Sequence, residues 1–432
     1  MNLAPRVGFA WQPFADGKWS VRGAFGIFYN RGGNTLWSDT ETNNPPFAAS
    51  LNADIHVPSG PQPVYGLCGS ATFPFNCPRP PLPVDQFNPR GGILGTQVSI
   101  GGPDPSLKLA YAENMFLGVQ RQFRSHWIAE ADFTRSTGIH MYSIINRNRY
   151  DGDRNPVTGV ITFLNPYFGA INYADNSNHS TYNAGTFFIQ KLFHQGYSFQ
   201  VAFTTGKTID LMSAPPGTDK GSDYAPVIDA YNLNAQRGLS DQDVSKQLSF
   251  NFVWDVPKPK TSSRALNIMA GGWEVTSLGE LISGLPQTVF TTNESQDFNL
   301  DGNNYDLPNT PSFGHTLKGL SRSNYLKGTF TASQFPLPVG ANGLPTGVEG
   351  NLGRNTFRGP GFAQVDSGFA KNNHVPWFVN GGANLQFRVD VYNLFNRVNL
   401  TGWDTNLADG NFGKATNTLQ ARTLQLSTKF VF

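Results

Sequence analysis

Hydrophobic and polar residues alternate one by one along many segments of the chain. Val7, Phe9 and Trp11 alternate with small or polar residues near the N-terminus, and Phe250 and Phe252 alternate with polar residues further along. Because successive side chains of a β-strand point to opposite faces, this pattern predicts strands with one apolar and one polar face.

Alternation and turn residues together predict eleven long strands. They span residues 5–14, 19–30, 108–123, 127–144, 167–193, 196–210, 244–256, 268–291, 361–372, 381–399 and 418–432. Some of these segments, including the one that begins near Trp273, alternate poorly and are placed by their context.

The connections between the predicted strands alternate between short and long. The long connections are 31–107, 145–167, 211–243, 292–360 and 400–417. Outer-membrane barrels have this asymmetry, with short periplasmic turns and long extracellular loops. In a soluble sandwich or propeller, long loops would occur at both ends of the strands. The sequence therefore predicts an all-β fold, an antiparallel transmembrane β-barrel.

The number of predicted strands bears on how much of a barrel is present. Eleven is an odd number, whereas a closed bacterial barrel of one chain has an even number of strands. An incomplete barrel would also leave unpaired strand edges, which lipid does not tolerate. The chain also begins in a predicted strand, without an export signal. We therefore expect residues 1–432 to be the C-terminal half of a larger barrel, in an N-terminally truncated sequence.

Composition supports a membrane barrel. Charged residues make up 14% of the chain, against about 25% in soluble domains, and aromatic residues make up 13%, with 34 phenylalanines. No apolar stretch approaches the roughly 18 residues of a membrane helix, so a helical membrane protein is excluded. The net charge of +2, without a basic run, indicates no nucleic-acid partner. The expected surroundings are outer-membrane lipid.

Several charged residues fall on the polar faces of predicted strands. We expect them to point into the barrel lumen, where they line the path through the barrel. Each could equally be part of a wetted barrel wall. These lumen-facing charges are Arg22, Glu130, Asp132, Arg388 and Asp390.

The last predicted strand ends in phenylalanine. Leu424, Leu426, Phe430 and the terminal Phe432 share one face, and Lys429 lies on the other. Such a strand resembles the signal that the outer-membrane barrel assembly machinery reads. The alternative is an ordinary amphipathic final strand.

Two cysteines, Cys68 and Cys77, occur in a proline-rich segment. Their spacing would close a small loop through a disulfide in an oxidising compartment. Two free thiols are the alternative.

One candidate metal site lies in a predicted outer loop. Asp297, Asn299 and Asp301 place oxygen ligands at alternate positions, as a calcium loop does, and Asp306 follows them. The position that holds a glutamate in an EF-hand is Pro308 here, so a solvated Asn/Asp turn is the alternative. No other cofactor is expected. The sequence has no metalloprotease motif, nucleophile elbow or paired histidines, so no enzymatic activity is expected.

Six stretches in order along the chain resemble the Oar-like family of TonB-dependent outer-membrane transporters. They are residues 5–30, 202–210, 237–244, 272–290, 353–362 and 385–400. The resemblance implies a barrel of about 22 strands, a plug and TonB as partners, and the outer membrane of a Gram-negative bacterium. The sequence contains no plug or TonB box.

The function that the resemblance implies is energised uptake of an unidentified ligand. Residues 31–107 and 292–360 are the expected ligand-facing loops. Two alternatives remain open: a structural or adhesive surface barrel without energised transport, and a soluble secreted carbohydrate-binding β protein.

Overall fold

The structure is a computed structural model. It describes residues 2–30, 44, 98–148, 150–154, 161–213, 232–258, 262–291, 298–299, 305–314, 320–376 and 382–432. The strands are β1 (Arg6–Trp11), β2 (Trp19–Tyr29), β3 (Val98–Pro103), β4 (Tyr111–Arg124), β5 (Trp127–Asn146), β6 (Tyr150–Arg154), β7 (Ile161–Phe163), β8 (Phe168–His194), β9 (Tyr197–Asp210), β10 (Gly238–Leu239), β11 (Lys246–Asp255), β12 (Trp273–Ile282), β13 (Pro286–Gln287), β14 (Phe357–Arg358), β15 (Phe362–Val375), β16 (Ala383–Tyr392) and β17 (Thr423–Val431).

Eleven of these strands form one antiparallel sheet in chain order. The order is β1-β2-β4-β5-β8-β9-β11-β12-β15-β16-β17, with β10 added beside β9 and β3 added beside β8 in parallel. Each of the eleven predicted strands is present, so the predicted barrel wall is confirmed. Within the described residues β1 and β17 each pair on one side only, and the sheet is not closed.

The connections divide the sheet into two rims. Residues 12–18, 125–126, 195–196, 256–272 and 376–382 connect strands at one edge, which we call the short-turn rim. Residues 30–110, 147–167, 211–245, 283–361 and 393–422 connect them at the opposite edge, the long-loop rim. The predicted asymmetry of periplasmic turns and extracellular loops is therefore confirmed. The longest strand, β8, has 27 residues.

The strand register separates the side chains into two faces. On the apolar face Val201 pairs with Phe250, and Leu426 pairs with Val389. On the polar face Asn251 pairs with Gln200. The apolar face is exposed across the sheet, with Leu426 at 77% exposure, as expected of side chains that contact lipid.

Two adjacent residues of β11 test which face meets the membrane. Phe250 lies at the middle of the strand on the apolar face, and Asn251 lies on the polar face. We expect Phe250→Arg to destabilise the folded protein by about 2–4 kcal/mol, because it places a charge in the hydrocarbon layer. Asn251→Arg is the matched control and should change stability little. Urea unfolding in lipid vesicles measures both, and equal losses would contradict the assignment of faces.

Two predicted strands are shorter than expected by nine or more residues. The segment 268–291 joins the large sheet only over Trp273–Ile282, because Arg264–Ala270 is a helix whose first turn is capped by the Ser263 side chain. After β12 the chain packs closely against the far end of the same connection: a Cβ added at Gly284 would lie 1.8 Å from the carbonyl oxygen of Gly359. The residues that follow leave the sheet.

The other shortened strand is the predicted segment 381–399. It ends at Tyr392, because Asn393 and Asn396 adopt the left-handed conformation, with φ of 56° and 47°. The Asn393 side chain accepts the backbone N–H of Arg397 at 2.9 Å and so holds this turn. The structure has no helix within its described ranges that is long and apolar enough to cross a membrane.

Candidate functional site

Three of the charges predicted to face the lumen lie close together on the polar face. Arg22 of β2 forms an ion pair with Glu130 of β5, across the intervening strand β4. Gly118 of β4 leaves room for the carboxylate of Asp132, since a Cβ there would lie 2.2 Å from its Oδ1. A side chain at position 118 would therefore displace the Asp132 carboxylate.

The other two predicted charges form a second group at the far end of the sheet. Arg388 Nε donates to both carboxylate oxygens of Asp390, at 2.8 and 3.0 Å. Gly368 of the neighbouring strand again provides space, because a Cβ there would lie 2.6 Å from both Arg388 Nη2 and Thr276 Oγ1. All five charges are thus on the polar face. That they line a lumen remains a prediction.

A separate hydrophobic core lies at the long-loop rim, and we call it the outer loop core. It is built by the connections 283–361 and 393–422. Phe330 occupies its centre, 5.1 Å from the rings of both Phe357 and Trp403. The buried members are Val289, Tyr325, Phe330, Phe335, Leu352, Phe357, Leu400, Trp403 and Phe412.

Tyr325 anchors the short helix Arg322–Lys327 to this core. Its hydroxyl donates to the carbonyl oxygen of Arg358 at 3.1 Å. Burial raises the pKa of the Tyr325 phenol. The hydroxyl therefore stays neutral and remains a donor.

A buried arginine joins the outer loop core to the barrel wall. The Arg354 side chain is 4% exposed and forms ion pairs with Asp210, at the end of β9, and with Asp241. It also donates to the carbonyl oxygen of Gln236 at 3.1 Å and to the Ser213 hydroxyl at 3.0 Å. One side chain thus links the end of β9 and residues 236–241 to its own connection.

Two neighbours of Arg354 extend this contact. Arg358 forms an ion pair with the buried carboxylate of Asp243 and donates to its carbonyl oxygen at 3.0 Å. Asn355 donates to the carbonyl oxygen of Leu239 at 2.6 Å. We call these groups together the arginine junction. It brings residues 237–244 and 353–362 together, two of the six stretches that carry the family resemblance.

Sequence reasoning did not identify the arginine junction. Its two parts are more than 100 residues apart, with Arg354 and Asp241 separated by 113 positions. The available signal was their composition, since one stretch carries acidic residues and the other arginines.

The candidate calcium loop is only partly described. Asp297 and Asp301 lie outside the described residues, while Asn299 and Asp306 lie within them. Asp306 is buried, and its Oδ2 accepts the backbone N–H of Phe298 at 3.0 Å. Among the described residues no group of three or more His, Cys, Asp or Glu side chains could hold a metal ion. Calcium binding stays a prediction.

Cys68 and Cys77 lie outside the described residues, so their disulfide also stays a prediction. Leu424, Leu426 and Phe430 lie on the apolar face of β17, paired with Val391, Val389 and Leu385. The Phe432 ring lies 5.8 Å from that of Phe430. The predicted arrangement of the final strand is present, and its recognition by the assembly machinery remains a prediction.

The sequence profile of a known family matches nearly the whole chain. This family is described as the outer membrane beta barrel domain, and the match covers residues 1–425. The chain belongs to this family. As an outer membrane β-barrel protein it is located in the outer membrane of a Gram-negative bacterium, as the sequence predicts. The family does not support the soluble carbohydrate-binding alternative.

Solved structures with a similar fold include several proteins of the outer membrane. The outer membrane transporter YddB from Escherichia coli is 11% identical, with a TM-score of 0.50, and the match covers 100% of this chain and 40% of that one. The ferric enterobactin receptor of Pseudomonas aeruginosa, a mutant form, is 10% identical with a TM-score of 0.46, covering 100% and 40%.

A third similar structure is the FrpB iron transporter from Neisseria meningitidis, 11% identical with a TM-score of 0.39, covering 99% of this chain and 39% of that one. The outer membrane β-barrel chain thus spans about 40% of the length of YddB. At this identity the likeness to YddB shows the fold alone. No curated protein matches the sequence.

Proposed function

We propose that this chain forms part of the barrel of a TonB-dependent outer-membrane transporter of the Oar-like kind, which takes up a ligand from outside the cell. In this proposal a plug and TonB, outside the present sequence, supply gating and energy. The ligand contacts the long-loop rim and passes along the polar face of the sheet.

The observation that carries the proposal is the fold likeness to the outer membrane transporter YddB along the full length of the chain. The wall also has the properties that a solute path needs. Its polar face holds ion-paired charges such as Arg22 and Glu130, and its apolar face suits lipid. The outer loop core and the arginine junction give the long-loop rim a fixed shape, which favours ligand recognition over a loose set of loops.

We also infer that the chain is not an enzyme. Arg22, Arg354, Arg358 and Arg388 are each held in an ion pair with a carboxylate. This arrangement supports a structural use of these charged groups. The remaining alternative, a structural or adhesive surface barrel, has the same wall but does not need energy from the inner membrane.

Uptake in the natural host tests the proposal. Cells that produce the full-length protein, and a strain with its gene deleted, would be supplied with ⁵⁵Fe bound to a panel of siderophores and with ⁶⁴Cu²⁺. We expect one of these probes to accumulate only in the producing strain, and a protonophore to abolish the accumulation. Equal accumulation in both strains, or accumulation that persists with the protonophore, would contradict energised transport of these solutes.

A further inference from the structure

Cations on the apolar face near the short-turn rim are held by the protein itself. Lys191 Nζ donates to the carbonyl oxygens of His194 and Tyr197, at 2.5 and 2.8 Å. Lys371 Nζ donates to the carbonyl oxygen of Ile268 at 2.8 Å. The Arg121 guanidinium lies 4.7 Å from the centre of the Trp19 ring. These three cations stabilise turns and aromatic groups at this rim.

Three further cations lie on the same face toward the long-loop rim. They are Arg135 of β5, Lys207 of β9 and Lys246 of β11, and all three are exposed. The register places them side by side, since Arg135 pairs with Asn183 and Asn183 pairs with Lys207. Lys246 pairs with Thr205, two residues from Lys207 on the same strand. We call this group the outer cation patch.

The charges of the outer cation patch are not neutralised by the described part of the chain. None of the three forms an ion pair there, and Arg135 has one long contact, 3.5 Å from Nε to Thr137 Oγ1. Among the described strands of the large sheet, Glu113 is the one acidic residue on the apolar face. It pairs with Thr137 and makes no ion pair with Arg135 in this structure.

The depth of the outer cation patch follows from the strand geometry. Arg135 lies eight positions beyond Trp127, Lys246 lies eight positions from Trp254, and Lys207 lies ten positions beyond Tyr197. With about 3.3 Å per residue and a tilt of about 45°, these steps correspond to roughly 19–23 Å of membrane depth. Aromatic residues mark the edges of the apolar band, which is about 25 Å tall. Counted from the short-turn rim, the three Cα atoms therefore lie roughly 2–6 Å short of the outer boundary, a distance that Lys and Arg side chains span.

Aromatic side chains continue the patch toward the membrane centre. Phe133, Phe187 and Phe203 lie on the same face and are 39%, 61% and 37% exposed. The surface therefore combines unneutralised positive charge at the boundary with exposed rings beneath it. An anionic lipid headgroup with its acyl chains has the complementary arrangement.

We propose that the outer cation patch binds the phosphate groups of lipid A, the phosphorylated glycolipid anchored in the outer leaflet. The cations lie on the long-loop side, which faces that leaflet, and a lipid with two phosphates matches three adjacent cations in charge. The acyl chains pack along Phe133, Phe187 and Phe203. This proposal depends on the orientation of the barrel and not on transport.

Native mass spectrometry of the full-length protein in detergent, titrated with bisphosphorylated lipid A, tests the proposal. We expect the triple variant Arg135→Gln, Lys207→Gln, Lys246→Gln to bind this lipid on the order of 100-fold more weakly, at about tenfold or less per cation. Arg121→Gln removes a cation from the same face near the other rim, and it should leave the affinity unchanged.

Dephosphorylated lipid A and phosphatidylglycerol separate the chemical contributions. The natural protein should bind both more weakly than bisphosphorylated lipid A. Heat-dependent mobility in gels confirms that each variant is folded, and the single variants replace the triple one if it is not. Unchanged affinity of the folded variants, an equal loss in Arg121→Gln, or equal binding of phosphatidylglycerol would overturn the proposal.

Discussion

Replacing Arg354 with methionine is expected to detach the outer loop core from the barrel wall. The substitution leaves the carboxylate of Asp210, whose side chain is 5% exposed, buried without its cation. Removing one partner of a buried ion pair costs about 3–5 kcal/mol, because the remaining charge is desolvated and unpaired. Backbone amides near Asp241 and Arg354 should then exchange hydrogen faster, since the contacts that close these segments are lost.

Two further variants show whether charge pairing is the cause. Arg237→Met changes an exposed arginine in the connection that contains Asp241 and should leave exchange unaltered. Combining Arg354→Met with Asp210→Asn removes the unpaired charge and should recover part of the protection. Hydrogen exchange followed by mass spectrometry measures all three in the purified full-length protein. Equal effects of Arg354→Met and Arg237→Met would rule out the arginine junction as the attachment.

Truncating Phe330 to alanine is expected to loosen the outer loop core without unfolding the barrel. Its ring is 5% exposed and lies between Phe335, Phe357 and Trp403, at centroid distances of 5.5, 5.1 and 5.1 Å. Loss of a buried phenylalanine typically costs about 3–5 kcal/mol, since the cavity does not fully collapse. Limited proteolysis should therefore cut the chain between residues 305 and 361 at a lower protease concentration.

Phe395→Ala provides the matched control for Phe330→Ala. Phe395 is 72% exposed in the other connection that contributes to the outer loop core, so its loss creates no cavity. We expect its proteolysis to follow that of the natural protein. Resistance of the Phe330 variant, or unfolding of the whole sheet at the same protease concentration, would argue against an independent loop core.

The strands of the wall could be predicted from sequence because lipid and water impose a two-residue period on them. Segments such as β11, where Phe250 and Asn251 point to opposite faces, carry this period clearly. The two-residue period leads to a wrong assignment where an apolar residue packs outside the sheet. Val289 was assigned to the strand 268–291, but it is buried in the outer loop core.

The outer loop core itself could not be predicted in the same way. Its residues come from connections that are far apart in sequence, and their spacing follows neither a strand nor a helix period. Phe330 and Trp403 meet at 5.1 Å although 73 positions separate them. Such contacts are determined by tertiary packing, which a local pattern does not encode.

The candidate site could likewise be predicted from sequence only where its residues lie on strands. The charges on the polar face, such as Arg22 and Arg388, could be placed because they follow the strand period. Arg354 could not, because it lies in a connection and its partner Asp210 ends a distant strand. The calcium ligands and Cys68 with Cys77 stay predictions.

The length of β8 means that the barrel wall extends well beyond the membrane. About 9–11 residues suffice to cross the membrane, and β8 has 27. Roughly 16 residues therefore continue outward, which at about 3.3 Å per residue and about 45° tilt corresponds to roughly 35–40 Å of height. Antibodies or bacteriophage that approach this protein would meet the tip formed by β5 and β8 before they reach the bilayer.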